Sequence, residues 1–205
     1  MKIMKVITIC IVLLINISTV EAKVGGVTAI LEVTSLLAKA TKDLASVVTN
    51  IRKAISEGIG IYDTFQLRSS KARMLELSTE LTGLAMMQTS EVLTPMELYQ
   101  QNPNAQSWRK MKTSTKRVLA NIGGILEELM VERSLLVTSK AYKAIVISLT
   151  QRSIFLHPIA KLAPPETAEE VQAFEKLIDQ YRILIEKLIQ ANDLLSEYIN
   201  RNFTR

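Results

Sequence analysis

The sequence predicts an all-α protein: an elongated helical bundle of about four long antiparallel helices plus a short helix. Three observations carry this. Two stretches repeat apolar residues at alternating spacings of three and four, Ile30, Val33, Leu37, Ala40, Leu44, Val47, Ile51 and Ala54, then Phe174, Leu177, Tyr181, Leu184, Leu188, Ala191, Leu195 and Tyr198. Such a spacing keeps one coiled-coil-like seam on one helix face. No stretch alternates apolar and polar residues as a half-buried strand does. Helix start and stop signals, finally, punctuate the chain at intervals suited to long helices.

The first element is a leader. Lys2 and Lys5 precede an uncharged run from Val6 to Val20, fifteen residues long, and Val20-Glu21-Ala22 places two small residues three apart. A spanning helix needs roughly 20 apolar residues, so the run reads as a cleaved signal peptide over 1–22 rather than an anchor. Residues 23–205 then form a single helical-bundle domain, large enough to bury roughly 70% of its unfolded surface. Cys10 is the sole cysteine. It leaves with the leader, so the mature chain enters a periplasmic or extracellular compartment without disulfides and depends on packing. Loss of Lys2, Lys5 and Glu21 lowers the formal charge from +5 by one. That modest excess permits, without requiring, attraction to an anionic lipid or an acidic protein.

After Gly25-Gly26 the first seam forms one long helix, widened by Val48 and Ile55 and ended or kinked by Gly58 and Gly60. Asp63 and Gln66 resemble a capping box opening a second helix, with Met74, Leu77, Leu81 and Leu84 on one face and an end near Thr94. Thr94-Pro95-Met96-Glu97 combines a cap residue, a proline at the first position and an acid at the third, so it predicts a restart. This third helix is short, because residues 100–107 (QQNPNAQS) read as a loop. A long helical region follows from about Asn104 to His157, carrying Trp108, Met111, Val118, Ile122, Ile125 and Leu129, then Leu135, Tyr142, Ile145, Leu149 and Leu156. Gly123-Gly124 predicts a kink, a close helix crossing or a full break, and Pro158 predicts the stop. Thr167 and Glu170 form the last capping box, and the helix over 167–202 would extend roughly 54 Å. Asn192 interrupts its apolar flank; it is read as solvent-facing, with register-setting as the alternative.

The chemistry-bearing residues are sparse. His157, the sole histidine, stands at an expected helix end, where capping or solvation is the ordinary role. Glu127, Glu128 and Glu132 crowd one helix, but no Glu-x-x-His accompanies them as a di-metal bundle site requires. No Gly-rich phosphate loop occurs. No catalytic residue, metal ligand or cofactor is therefore expected. Met86-Met87 is the best candidate for a pliable contact surface, with core filling the plainer reading. The residues 202–204 (NFT) form a glycosylation acceptor of low specificity.

The segment WRKMKTSTKR is the most suggestive: Arg109, Lys112 and Lys116 share one helical face, beside Trp108. Two readings follow. The residues form a dock for anionic lipid headgroups or an acidic partner with Trp108 as an interfacial anchor, or they form a wet face above a tryptophan folded into the core. The chain is thus expected to be a non-catalytic protein that binds another protein, a second copy of itself included. A long-helix chain behind an export leader is similar in architecture to accessory components of bacterial envelope or secretion machines, a similarity of shape alone. The alternative is a membrane-surface or membrane-active protein, with an anionic membrane as partner; nucleic acid is not expected.

Overall fold

The computed structural model describes residues 71–131 and 135–203, and every regular element in them is helical. The leader with Cys10, the seam over 30–54, the glycines at 25, 26, 58 and 60, the Asp63/Gln66 start, Glu132 and Thr204 lie outside the described residues. Helix α1 (Lys71–Gln88) passes through a π-helical turn (Thr89–Leu93) into α2 (Thr94–Gln101); α3 (Ala105–Val131), a 3-10 turn (Leu135–Thr138), α4 (Lys140–Ile159) and α5 (Ala168–Phe203) follow. The all-α bundle expected from the periodicity is what forms.

Polar contacts fix its topology. Asn121 donates to Met87 Sδ (3.3 Å) and Arg117 pairs with Glu91, so rising numbers on α3 meet falling ones on the first rod. On α5 the order is Gln100 with Glu175 (3.0 Å), Arg182 with Glu97 (2.7 Å) and Asn192 with Thr82 (3.0 Å), again antiparallel. Tyr142 of α4 reaches back to Leu129 of α3. The four rods therefore alternate in direction, and each packs chiefly on two neighbours. The inward stripes of all four supply one core, from Met74 and Leu81 through Met111, Ile122, Ile145 and Leu149 to Leu188 and Leu195.

Local details depart from the sequence expectations in four places. Thr94-Pro95 opens α2 as expected, but without a capped break in the rod. Leu93 keeps helical angles and offers no side-chain cap, and the rod continues through the π turn. A proline removes one backbone donor and crowds the preceding turn, and widening that turn accommodates both effects. Thr89 O there accepts from both the Thr94 N–H and the Thr94 hydroxyl, the latter at 3.0 Å. Second, the region from Asn104 to His157 is not one helix. Gly123 and Gly124 lie inside α3 with ordinary backbone angles, and an added Cβ would meet nothing within 4 Å, so there is neither a break nor a close crossing at that point. The division comes later, where Leu136 and Val137 are both fully buried. The 3-10 turn carries both side chains into the core as the chain passes from α3 to α4. Ser139, extended at ψ 159, restarts α4 by accepting the Tyr142 N–H at 3.1 Å. The Tyr142 hydroxyl satisfies Leu129 O, one of the last carbonyls of α3, at 2.9 Å.

Third, Pro158 lies within α4, which ends one residue later at Ile159 and unwinds through short turns, Lys161 N–H to Pro158 O at 3.0 Å and Leu162 N–H to Ile159 O at 3.2 Å. Fourth, Asn192 does not simply face solvent. Its carboxamide accepts from the Ser78 hydroxyl at 2.9 Å and donates to Thr82 Oγ1 at 3.0 Å, so it sets the register of α5 on α1. Two helix starts are capped, the second as expected. Asn104 accepts the Ser107 N–H at 2.8 Å, and Thr167 and Glu170 form a reciprocal capping box.

Candidate functional site: a basic groove between two helices

The segment Trp108–Arg117 occupies the first turns of α3, where helical spacing sends its residues to opposite sides. Trp108 faces inward and is 4% exposed. It meets Tyr99 of α2 at 4.7 Å between ring centroids and Phe174 of α5 at 5.5 Å, while Tyr99 and Phe174 stand edge to face at 5.9 Å. Three rods are thus clamped by one aromatic corner. Of the two readings, the ring folded into the core is the one observed, and the indole presents no anchor at the surface.

Lys112, one turn on from Trp108, is half-buried at the edge of the helix face, and Lys116 is exposed one turn further. Opposite them stands the C-terminal end of α4, carrying His157, Ala160 and Lys161. Together with Leu119 and Ala120 these residues line an open groove of about 740 Å³. Arg109, expected beside Lys112 and Lys116, is exposed but does not line the groove. His157 and Lys161 were not legible as partners of Lys112, because only the turn between α3 and α4 brings the two helices side by side.

Among the described residues no carboxylate lines the groove. None of Arg109, Lys112 and Lys116 makes an ion pair with another described residue. The contrast is with the arginines elsewhere on the surface. Arg73 pairs with Glu76 (3.0 Å) and Glu128, Arg117 with Glu91, and Arg182 with Glu97 (2.7 Å) and Asp179 (2.6 Å). Glu128 and Glu76 accordingly raise the Arg73 pKa, and Glu97 raises that of Arg182. Those acids serve the arginines, while Lys112 and Lys116 pair with no described acid. The C-terminal end of α4 adds its own partial negative charge, which favours His157 and Lys161 there.

A second polar assembly lies inside the bundle. Arg152 of α4 is 0% exposed. Its Nε donates to Gln88 Oε1 at 3.1 Å, across the core on α1, and its Nη1 donates to Ser148 O at 2.6 Å and to the Ser148 hydroxyl. Burial, with no carboxylate to offset it, pulls the Arg152 pKa down to about 9. Burial likewise pushes the Tyr181 hydroxyl far above its ordinary value, against the smaller opposing effect of the Arg152 charge. Sequence periodicity did not flag this cluster, because a charged residue three after Leu149 is ordinarily read as solvated.

Among the described residues no group of His, Cys, Asp and Glu could hold a metal ion, and no helix is long and apolar enough to cross a membrane. Met86 is 68% exposed on α1, whereas Met74, Met96 and Met111 are fully buried filler. The chain matches no protein-family model, no curated protein and no solved structure.

Proposed function

We propose that the chain is an exported, non-catalytic helical-bundle protein that binds an acidic segment of another protein in the groove between α3 and α4. In this reading it serves as an accessory component of a bacterial envelope or secretion machine. The observation that carries the reading is the gathering of Lys112, Lys116, His157 and Lys161 around one groove whose described lining residues include no carboxylate. A volume of about 740 Å³ suits several side chains of a peptide rather than a single ion. The floor of Leu119, Ala120 and Ala160 can take the aliphatic stems of glutamates while their carboxylates reach the lysines.

The alternative partner is an anionic membrane surface. The exposed Arg109 and Lys110 favour it, and the burial of Trp108 removes the aromatic anchor that would hold the helix at the interface. Two measurements on the same protein separate them. Fluorescence anisotropy with a labelled Glu/Leu peptide should show binding that weakens as salt shortens the Debye length from about 14 Å to 6 Å. The triple variant Lys112→Gln/Lys116→Gln/Lys161→Gln should bind roughly tenfold more weakly, from about 0.5 kcal/mol per exposed pair. Flotation with phosphatidylserine vesicles should leave the protein unbound. Vesicle binding that the triple variant abolishes, with no peptide binding, would overturn the protein-partner reading in favour of the membrane.

A further inference from the structure

Arg152 is the one arginine of the described core, and its hydrogen bonds leave an unbalanced set of groups around it. A guanidinium only donates, so Gln88 must turn its carbonyl oxygen toward Nε. That choice strands the Gln88 amide nitrogen on the far side of the carboxamide. Ser148 occupies Nη1. What remains are Gln88 Nε2, Arg152 Nη2 and the Tyr181 hydroxyl, all buried and all without a partner. The Tyr181 ring stacks on Phe155 at 5.5 Å between centroids, and Phe155 is one turn from Arg152 on α4.

Every one of these three groups has a proton to give. A water molecule accepting from Arg152 and Gln88 and donating to the Tyr181 hydroxyl oxygen would still leave the positive charge in place. An anion needs no acceptors and neutralises the charge. The charge count selects among anions. One buried cation balances a monovalent anion, whereas a divalent one such as sulfate would leave a net negative charge among apolar side chains.

We infer that Gln88, Arg152 and Tyr181 form an internal binding site for a single small monovalent anion of the halide class. The anion sits against Arg152 Nη2 and the Gln88 amide, capped by the Tyr181 hydroxyl, and joins α1, α4 and α5. The site is separate from the surface groove and does not depend on the partner reading.

The test is thermal unfolding of the full mature chain at constant ionic strength, with sodium bromide replacing sodium gluconate stepwise. The unaltered protein should gain about 5 °C between the lowest bromide concentration and saturation. Arg152→Met should show no bromide-dependent gain, since its surface charge screening is otherwise the same. Equal shifts in the two proteins, or no shift in the unaltered one, would overturn the site. Should Arg152→Met fail to fold, Tyr181→Phe and Gln88→Leu each keep the cation and should raise the half-saturating bromide concentration several-fold; unchanged half-saturation in both would also overturn it. Crystals grown in bromide give the direct reading. An anomalous peak against Arg152 Nη2 supports the site, and a carboxylate or water there removes it.

Discussion

Phe174 and Tyr181 stand two turns apart on α5, and each belongs to a buried cluster of a different kind. At the aromatic corner, Phe174 meets Tyr99 and Trp108, and nearly all the buried surface is ring carbon. At the polar centre, Tyr181 shares the core with Arg152 and Gln88, all of them below the surface. Both are buried, yet burial acts in opposite directions. Carbon removed from water stabilises by about 25 cal/mol per Å², while an ion removed from water without a counter-ion costs several kcal/mol. The lesson is that depth alone does not measure what a residue contributes; the partners it meets decide the sign.

The largest test of that contrast is Trp108→Ala. Loss of the indole from a three-helix contact should destabilise by about 3–5 kcal/mol in urea unfolding, with its single orphan N–H recovering little of that. A loss under about 1 kcal/mol would show that the corner is not a clamp. Arg152→Met should act the other way. With the bromide and chloride kept low, removing the uncompensated charge should raise stability by about 1–3 kcal/mol. A clear loss instead would mean that the bonds to Gln88 and Ser148 outweigh the desolvation.

A pH series sharpens the same point. Burial lowers the folded pKa of Arg152 to about 9, well below its unfolded value. Below about pH 9 it is protonated in both states and the penalty is fully present; as pH rises through that value the folded state sheds the proton first, so stability rises. Between about pH 8 and 10, the unaltered protein should therefore gain on Arg152→Met in paired unfolding curves. Tyr181, raised in the fold, opposes this only above its unfolded pKa of 10.0, where the unfolded chain loses its phenolic proton first. The smallest effect belongs to a site that is exposed and fully satisfied. Thr167→Ala removes the acceptor of the Glu170 N–H and should cost about 1 kcal/mol by urea unfolding. The Glu170 carboxyl is held below its ordinary pKa by the N–H groups of Glu166 and Thr167. Its contribution is present above the unfolded pKa and fades as pH falls through the folded one.

The helical periodicity of α1, α3 and α5 determined which side of each helix is apolar, because 3.6 residues per turn writes burial directly into spacing. Trp108 had Met111 and Val118 as apolar company on paper, and its three-ring contact fits that stripe. The Thr167/Glu170 box was equally legible, since a capping box is satisfied within four residues and needs no tertiary partner. Four further decisions belonged to the assembled bundle. The rod runs on through Thr94-Pro95 without a cap, and its turns on both sides pack on the same two neighbours, α3 and α5. The division between α3 and α4 falls at the buried Leu136 and Val137, with Ser139 capping the restart. Asn192 sets register because α1 presents Ser78 and Thr82 opposite it. Lys112 and Lys116 acquire His157 and Lys161, and Arg152 acquires Gln88, because contacts between residues dozens of positions apart depend on the order and direction in which helices pack, which a pattern of period 3.6 does not encode.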